Sequence, residues 1–229
     1  MRNSLKAFLL LLTASVLNTR VMAQYDGSAS LSLGMGHGYT ALSQSVMSNA
    51  FAATKGNKTS PKANNADYIY LGFSHYRGFE QKVFNQVLQN DKNTDKGKLR
   101  SFLTSARTMY HFATRAQEVG LKDTYISDIM AIGIAWNWEM YHEKKASRQK
   151  VVALRNAIRD NIDKSSIKAQ LAKLSDEDKR DWILSFMYNN SMLAQIIKNT
   201  GKVSSLQKQQ LLKTAQQAGV PDIASVTLN

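Results

Sequence analysis

The sequence predicts a mainly α-helical protein: an array or bundle of five to seven helices around one buried central helix, with a flexible N-terminal segment ahead of it. Three observations carry this. Apolar residues recur at helical spacing over long stretches from about residue 77 onward. Only two prolines occur in 229 residues, and turn signals at hairpin spacing are missing. The stretch Asp128 to Met140, DIMAIGIAWNWEM, places apolar or small side chains on every face of a helix. A helix apolar all round is a buried one.

That central run is closed by Asp128 in front and Glu139 behind. It falls well short of the roughly 20 apolar residues that a bilayer span needs, so it reads as the core of a globule. Thr124 or Ser127 is the expected cap, with Asp128 in the first turn, where the helix dipole favours an anion, and Lys144 and Lys145 in the last. Gly133 invites close approach of a neighbouring helix, and Trp136 and Trp138 read as core residues with their indole N–H groups reaching polar partners.

Ahead of it, residues 1–23 have the pattern of a secretory signal peptide. Arg2 and Lys6 supply a positive start, Ala7 to Leu17 an apolar stretch, and Val21 and Ala23 the small residues of a cleavage site. Cleavage would leave Gln24 as the first residue. Residues 24–67 are rich in Gly, Ser, Asn, Thr and Ala and read as a flexible, low-complexity segment, with one short helix over Ala41 to Ala53 and a basic linker over Lys55 to Lys62. GMGHGY (Gly34 to Tyr39) lacks the lysine and hydroxyl of a phosphate loop.

Residues 68–229 are expected to form a single helical domain. Tyr68 to Phe73, YIYLGF, is a strand or the lead-in to a helix over Arg77 to Gln89. After a polar loop, Leu99 to Val119 reads as one helix, its stripe made of Leu99, Phe102, Leu103, Ala106, Met109, Tyr110, Ala113, Ala116 and Val119. Arg100, Arg107 and Arg115 lie off that stripe, and Gly120 is the stop. Further helices follow over Arg148 to Ile162, Ile167 to Leu174, about Ser175 to Asn199 and Ser204 to Ala218, with DIASVTL trailing off. Ser175-Asp-Glu-Asp178 is the clearest cap, with Asp in place of the usual Glu or Gln at the third position.

Charge and composition bound the function. The chain has 30 Lys and Arg against 17 Asp and Glu, a formal net charge of +13. Loss of residues 1–23 removes Arg2, Lys6 and Arg20 and no acid, so the excess survives. Such a charge draws acidic partners: an acidic protein, an anionic envelope polymer or lipid head groups. There is no cysteine, which excludes thiolate metal sites, a cysteine nucleophile and thiol redox chemistry.

The motifs for catalysis fail one by one. His142-Glu143 would begin a zinc-protease HExxH, but Ala146 stands where the second His is needed. Glu139 and His142 match one ExxH of a di-iron bundle, and no other of the five Glu precedes a His by three. The four histidines, His37, His75, His111 and His142, show no ligand spacing, and no metal or cofactor is expected. There is no GxSxG. A single-carboxylate hydrolase or lyase site would rest on Glu139, beside Trp136, Trp138 and Tyr141. The competing use of these residues is binding: Arg100, Arg107 and Arg115 interleave with aromatics in RSFLTSARTMYHFATR, and Lys144 and Lys145 extend the basic set.

Gly120-Leu121, the Asp-led apolar helix from Ser127-Asp128 through Trp138, the basic helix behind it and the Ser-Asp-capped C-terminal pair resemble an uncharacterised family of exported, mostly helical bacterial proteins of unknown function. The resemblance covers about residues 99–220, with departures at Gly133 and Asn137. It implies export and an α-fold and carries no catalytic residues. The expected function is therefore a periplasmic or secreted, non-enzymatic binding protein with a basic surface. The envelope hydrolase or lyase using Glu139 is the alternative.

Overall fold

The computed structural model describes residues 37–52 and 61–229, with side chains from residue 39 onward. Among the described residues there are nine helices: α1 (His37–Met47), α2 (Phe73–Asn90), α3 (Lys96–Ser105), α4 (Thr108–Val119), α5 (Ile126–His142), α6 (Arg148–Ile162), α7 (Ser165–Ala172), α8 (Asp176–Thr200) and α9 (Ser205–Gln217). The fold is mainly α, as the periodicity predicts. The helices outnumber the expected five to seven because the 99–119 stretch is two helices, and because α1 and α7 are full helical elements. None of the nine is long and apolar enough to cross a membrane.

α5 is the centre. Every residue from Ile126 to Trp138 is buried. α4, α6, α8 and α9 surround it. Gly133 sits where α8 crosses: a Cβ there would come within 2.6 Å of Phe186 Cζ and 3.3 Å of Asn190 Nδ2. Deeper along the same interface Asn137 donates to Asn190 Oδ1 at 3.3 Å, and Asn190 donates to Phe186 O at 3.1 Å. A polar pair inside an apolar interface fixes one register of the two helices, since sliding either helix would strand its amide.

The N-terminus of α5 is buried, so its free N–H groups need acceptors from outside the helix. Neither Thr124 nor Ser127 supplies them. The cap position is Tyr125, with no side-chain bond. Asp67 takes the role from sixty residues upstream: its carboxylate accepts from Ser127 N–H at 2.7 Å and from Ser127 Oγ at 2.7 Å. Asp128, also buried, accepts from Lys122 N–H at 2.8 Å. Two buried carboxylates need a cation, and Arg159 of α6 lies between them, 2.8 Å from Asp67 and 2.6 Å from Asp128. Arg155, one turn earlier, reaches Asp128 at 3.3 Å, and the Arg159 guanidinium stacks over Tyr125. Backbone bonds from Ile69 to Thr124 and from Ile126 to Asp67 clip the incoming segment in place.

The boundary expected between residues 67 and 68 is crossed by this packing. Leu42, Val46, Met47 and Ala50 are core residues. α1 is held by Trp182 donating to Ser43 Oγ, by Tyr39 donating to Asp178, and by Asn161 of α6 donating to the carbonyls of Val46 and Ser48. The rest of the expected 24–67 segment, residues 24–36 and 53–60, lies outside the described residues, as do the expected signal peptide and most of the Lys55 to Lys62 linker. The C-terminal tail does not trail off. Ile223 and Leu228 are fully buried, and Val226 O accepts the Trp138 indole N–H at 2.7 Å.

Two stability predictions follow from this core. Gly133→Ala adds helix propensity yet forces a methyl into the Phe186 ring, and overpacking should win: a loss of about 1–3 kcal/mol, read as a lower urea midpoint. A gain in midpoint would show that α5 and α8 are not in this contact. Arg159→Met should cost about 3–5 kcal/mol, because Asp67 and Asp128 are left buried with too little positive charge. A urea titration near neutral pH with less than a quarter of that loss would show the network to be dispensable.

Candidate basic and aromatic face

The expected single helix over 99–119 breaks at Arg107. α3 ends at Ser105, and Arg107 adopts a left-handed backbone, φ 45° and ψ 44°. That conformation costs a non-glycine residue roughly 1–2 kcal/mol. The break lets α3 pack on α2 while α4 turns to lie on α5 and α8. A straight helix of 21 residues would run about 30 Å and could not do both. Turning the helix also rotates its faces. Phe112 and Ala116 go into the core, and Met109 and Tyr110, expected on the buried stripe, come out to 40% and 52% exposure.

Around these two side chains the break gathers charge and aromatic rings. The Arg107 guanidinium lies over Tyr110, 4.2 Å from the ring centroid. His111 sits between the Tyr110 ring at 5.7 Å and the Trp136 ring of α5 at 5.5 Å. Partial burial lowers the His111 pKa below its ordinary value, and the charges of Arg107, Arg115 and, from α8, Lys198 lower it further. Arg107 and Lys198 are exposed and, among the described residues, neither forms an ion pair.

Arg115 behaves otherwise. The sequence places it on the outer face with Arg100 and Arg107, but the structure turns it inward, against the Trp136 ring at 4.8 Å. It pairs there with Glu139, and more loosely with Glu118 at 3.9 Å. Burial lowers the Arg115 pKa and the two glutamates oppose that shift. One turn of helix separates an arginine that serves the fold from the histidine beside the exposed face.

Glu139 is engaged on both oxygens. One accepts from Arg115 and lies 3.7 Å from the Lys145 ammonium; the other accepts the Ala146 N–H at 3.1 Å. It closes the C-terminal end of α5, where Glu143 turns left-handed at φ 53°. Trp138 is buried with its indole N–H bonded to Val226 O, so it serves the core rather than a substrate. Lys144 and Lys145 are exposed at that end, and Arg100 is exposed on α3 with its guanidinium 4.6 Å from the Phe84 ring centroid. The structure therefore brings Arg107, His111 and Lys198 together, sets Arg115 and Lys145 against Glu139, and leaves Arg100 on a separate helix. Lys198 was not expected; only the packing of α8 against α4 places it.

His75 and His142 are spent on backbone. His75 Nδ1 accepts the Gly72 N–H at 3.0 Å, capping α2, and His142 bonds Ile223 O at 3.2 Å. The His37 side chain lies outside the described residues. Among the described residues no three His, Asp or Glu side chains converge as a metal site would require. The surface of the described residues includes two open grooves. One of about 620 Å³ is lined by Asn64, Ala66, Lys168, Leu171, Ala172 and Lys179, and one of about 460 Å³ by Thr40, Gln44, Lys213, Gln216 and Pro221. Neither contains a carboxylate or a histidine. No protein-family model matches the chain, and no curated protein or solved structure is significantly similar to it.

The lowered His111 pKa has a thermodynamic sign. The unfolded chain, with its histidine near 6.5, binds the proton more readily than the folded chain does. Stability should therefore fall as pH drops from above that value through the folded pKa, and level off below it. In His111→Gln this part of the pH profile should vanish. Urea midpoints of both proteins across mildly acidic pH test it; parallel profiles would remove His111 from the account.

Proposed function

We propose that the protein is an exported, non-enzymatic binding protein that meets an acidic partner through its basic surface. The observation that carries this reading is the unpaired, exposed cation set around Tyr110, on a chain with a formal net charge of +13. Surface cations beside an exposed aromatic that carry no counter-ion within the fold raise both the encounter rate and the residence of an anionic partner.

The competing reading, an envelope hydrolase or lyase, requires a carboxylate free to take or give a proton in a cleft. Glu139 is instead held by Arg115, Lys145 and the Ala146 N–H. Export is supported by the pattern of residues 1–23, with Arg2, Lys6, the Ala7 to Leu17 stretch and Ala23. The chain carries no cysteine, so outside the cell the core and its buried ionic network would have to hold the fold without disulfides.

The reading predicts that the chain, immobilised at low salt, captures acidic envelope material and releases it as the screening length shrinks toward a few ångströms, about 3 Å at 1 M salt. Glu139→Gln should capture as well as the unaltered chain. Protein recovered from the envelope or the medium should begin at Gln24. Salt-insensitive capture, loss of capture in Glu139→Gln, or recovery only from the cytoplasm with Met1 in place would each overturn it.

A further inference from the structure

We propose that the face built by Arg107, Met109, Tyr110, His111 and Lys198 docks on the headgroup layer of an anionic phospholipid surface. This rests on the reading of the chain as a binder of acidic partners and names the partner of one particular face.

The composition of the face selects the occupant. A free phosphate or a small acid would need a concave site with convergent donors, and these residues lie on the first turn of α4 and the last turn of α8. Nor would it gain from Met109 and Tyr110, two large side chains held 40% and 52% exposed in the turn that follows Arg107. A lipid surface uses all of them. Its phosphates are met by guanidinium and ammonium groups, and its interfacial layer accepts a thioether and an amphipathic ring. Arg107, stacked 4.2 Å from the Tyr110 centroid, keeps the edge of its guanidinium free for bidentate contact with a phosphodiester.

The backbone points the same way. Were 99–119 one straight helix, Met109 and Tyr110 would continue the stripe of Leu99, Phe102, Leu103 and Ala106 into the core. The left-handed turn at Arg107 brings them out together with the arginine that causes it. The groups facing His111 are Arg107, Tyr110 and Arg115 on its own helix, Trp136 from α5 and Lys198 from α8. Three of those five are cations, and one of them, Arg115, is already matched by Glu118 and Glu139. An anionic layer supplies the counter-charge that Arg107, Lys198 and a protonated His111 lack.

The test is sedimentation of the chain from Gln24 onward, the form that the proposed cleavage leaves, with vesicles of phosphatidylcholine alone or with about one-third phosphatidylglycerol, at low salt. Binding should be at least about tenfold stronger to the anionic vesicles. The pair Arg107→Gly and Lys198→Gln should lower it about 25-fold, since each cation near such a surface contributes about fivefold. Glycine accepts the left-handed backbone at 107, so this variant keeps its fold, which circular dichroism checks. Lys173→Gln with Lys213→Gln removes the same charge from the α7–α8 turn and from α9, and should lose far less. Met109→Ser with Tyr110→Ser should weaken binding without any change of charge, and the His111 imidazole resonance should titrate at higher pH when anionic vesicles are present. Equal binding to both vesicle types, equal losses in the two charge pairs, or full binding by the serine pair together with displacement by inorganic phosphate would overturn the proposal. If vesicles fail while salt-sensitive capture of acidic protein from envelope extract persists, this face is not a lipid face and the broader reading stands.

Discussion

Arg159 lies buried between Asp67 and Asp128, and much of the molecule's geometry depends on that placement. The helix α5 is apolar on every side, so it needs cover from all directions, including its first turn. Covering a helix N-terminus removes water from N–H groups that have no partner within the helix. Asp67 replaces that water, but a carboxylate so deep needs a cation, and Asp128 beside it doubles the need. Arg159 answers both with one planar group, and its Nε also lies 3.1 Å from Ser127 Oγ. The segment leading into α2, the start of α5 and the last turn of α6 are thereby fixed to one another by charge as well as by packing.

From that anchor α5 runs through the protein and sets where the rest can lie. Gly133 admits α8, and the Asn137–Asn190 pair holds its register. Trp138 takes the C-terminal tail through Val226, and Trp136 receives α4 through Phe112, His111 and Arg115. The exposed face on α4 is thus positioned from beneath by Trp136. It packs on α5 through Phe112, His111 and Arg115 and exposes Met109, Tyr110 and the two cations. A surface held in that way presents its apolar tips without first having to order them, which lowers the entropic cost of contact with a partner.

Where the sequence is legible, the cause is local. The α6 boundaries and the Ser175 cap of α8 follow from a periodic stripe and a Ser-to-Asp spacing, and both stand where expected; Ser175 Oγ accepts from Asp178 N–H and the Asp178 side chain reaches back. Where it misleads, a distant residue decides. The 99–119 stripe is continuous on paper, and only the need to pack on α2 at one end and α5 at the other breaks it at Arg107. Asp67 gives no local sign of capping a helix sixty residues later. Arg159 did leave a trace. With Arg155 it falls on the same helical face as Val151, Ile158 and Ile162, a place where a charged residue must be buried or must bend the helix away. The candidate site was legible in part: Arg107 stood in the basic and aromatic stretch, while Lys198 reached it only through the fold.

The two arginines of that stretch show why net charge and surface are different quantities. Arg107 and Arg115 are eight residues apart, a spacing that would set them on nearly one face of an unbroken helix. The break puts the first outside α4, over an exposed tyrosine, and the second against Trp136 with Glu139 and Glu118 as counter-ions. Arg155 and Arg159 are likewise absorbed, by Asp128 and Asp67. The basic excess of this chain is therefore drawn largely from lysines and a few arginines left over after the core has taken its share. Charge that the fold consumes is tied to a carboxylate and reports on stability; charge it leaves free, as at Arg107 and Lys198, is what a partner can meet.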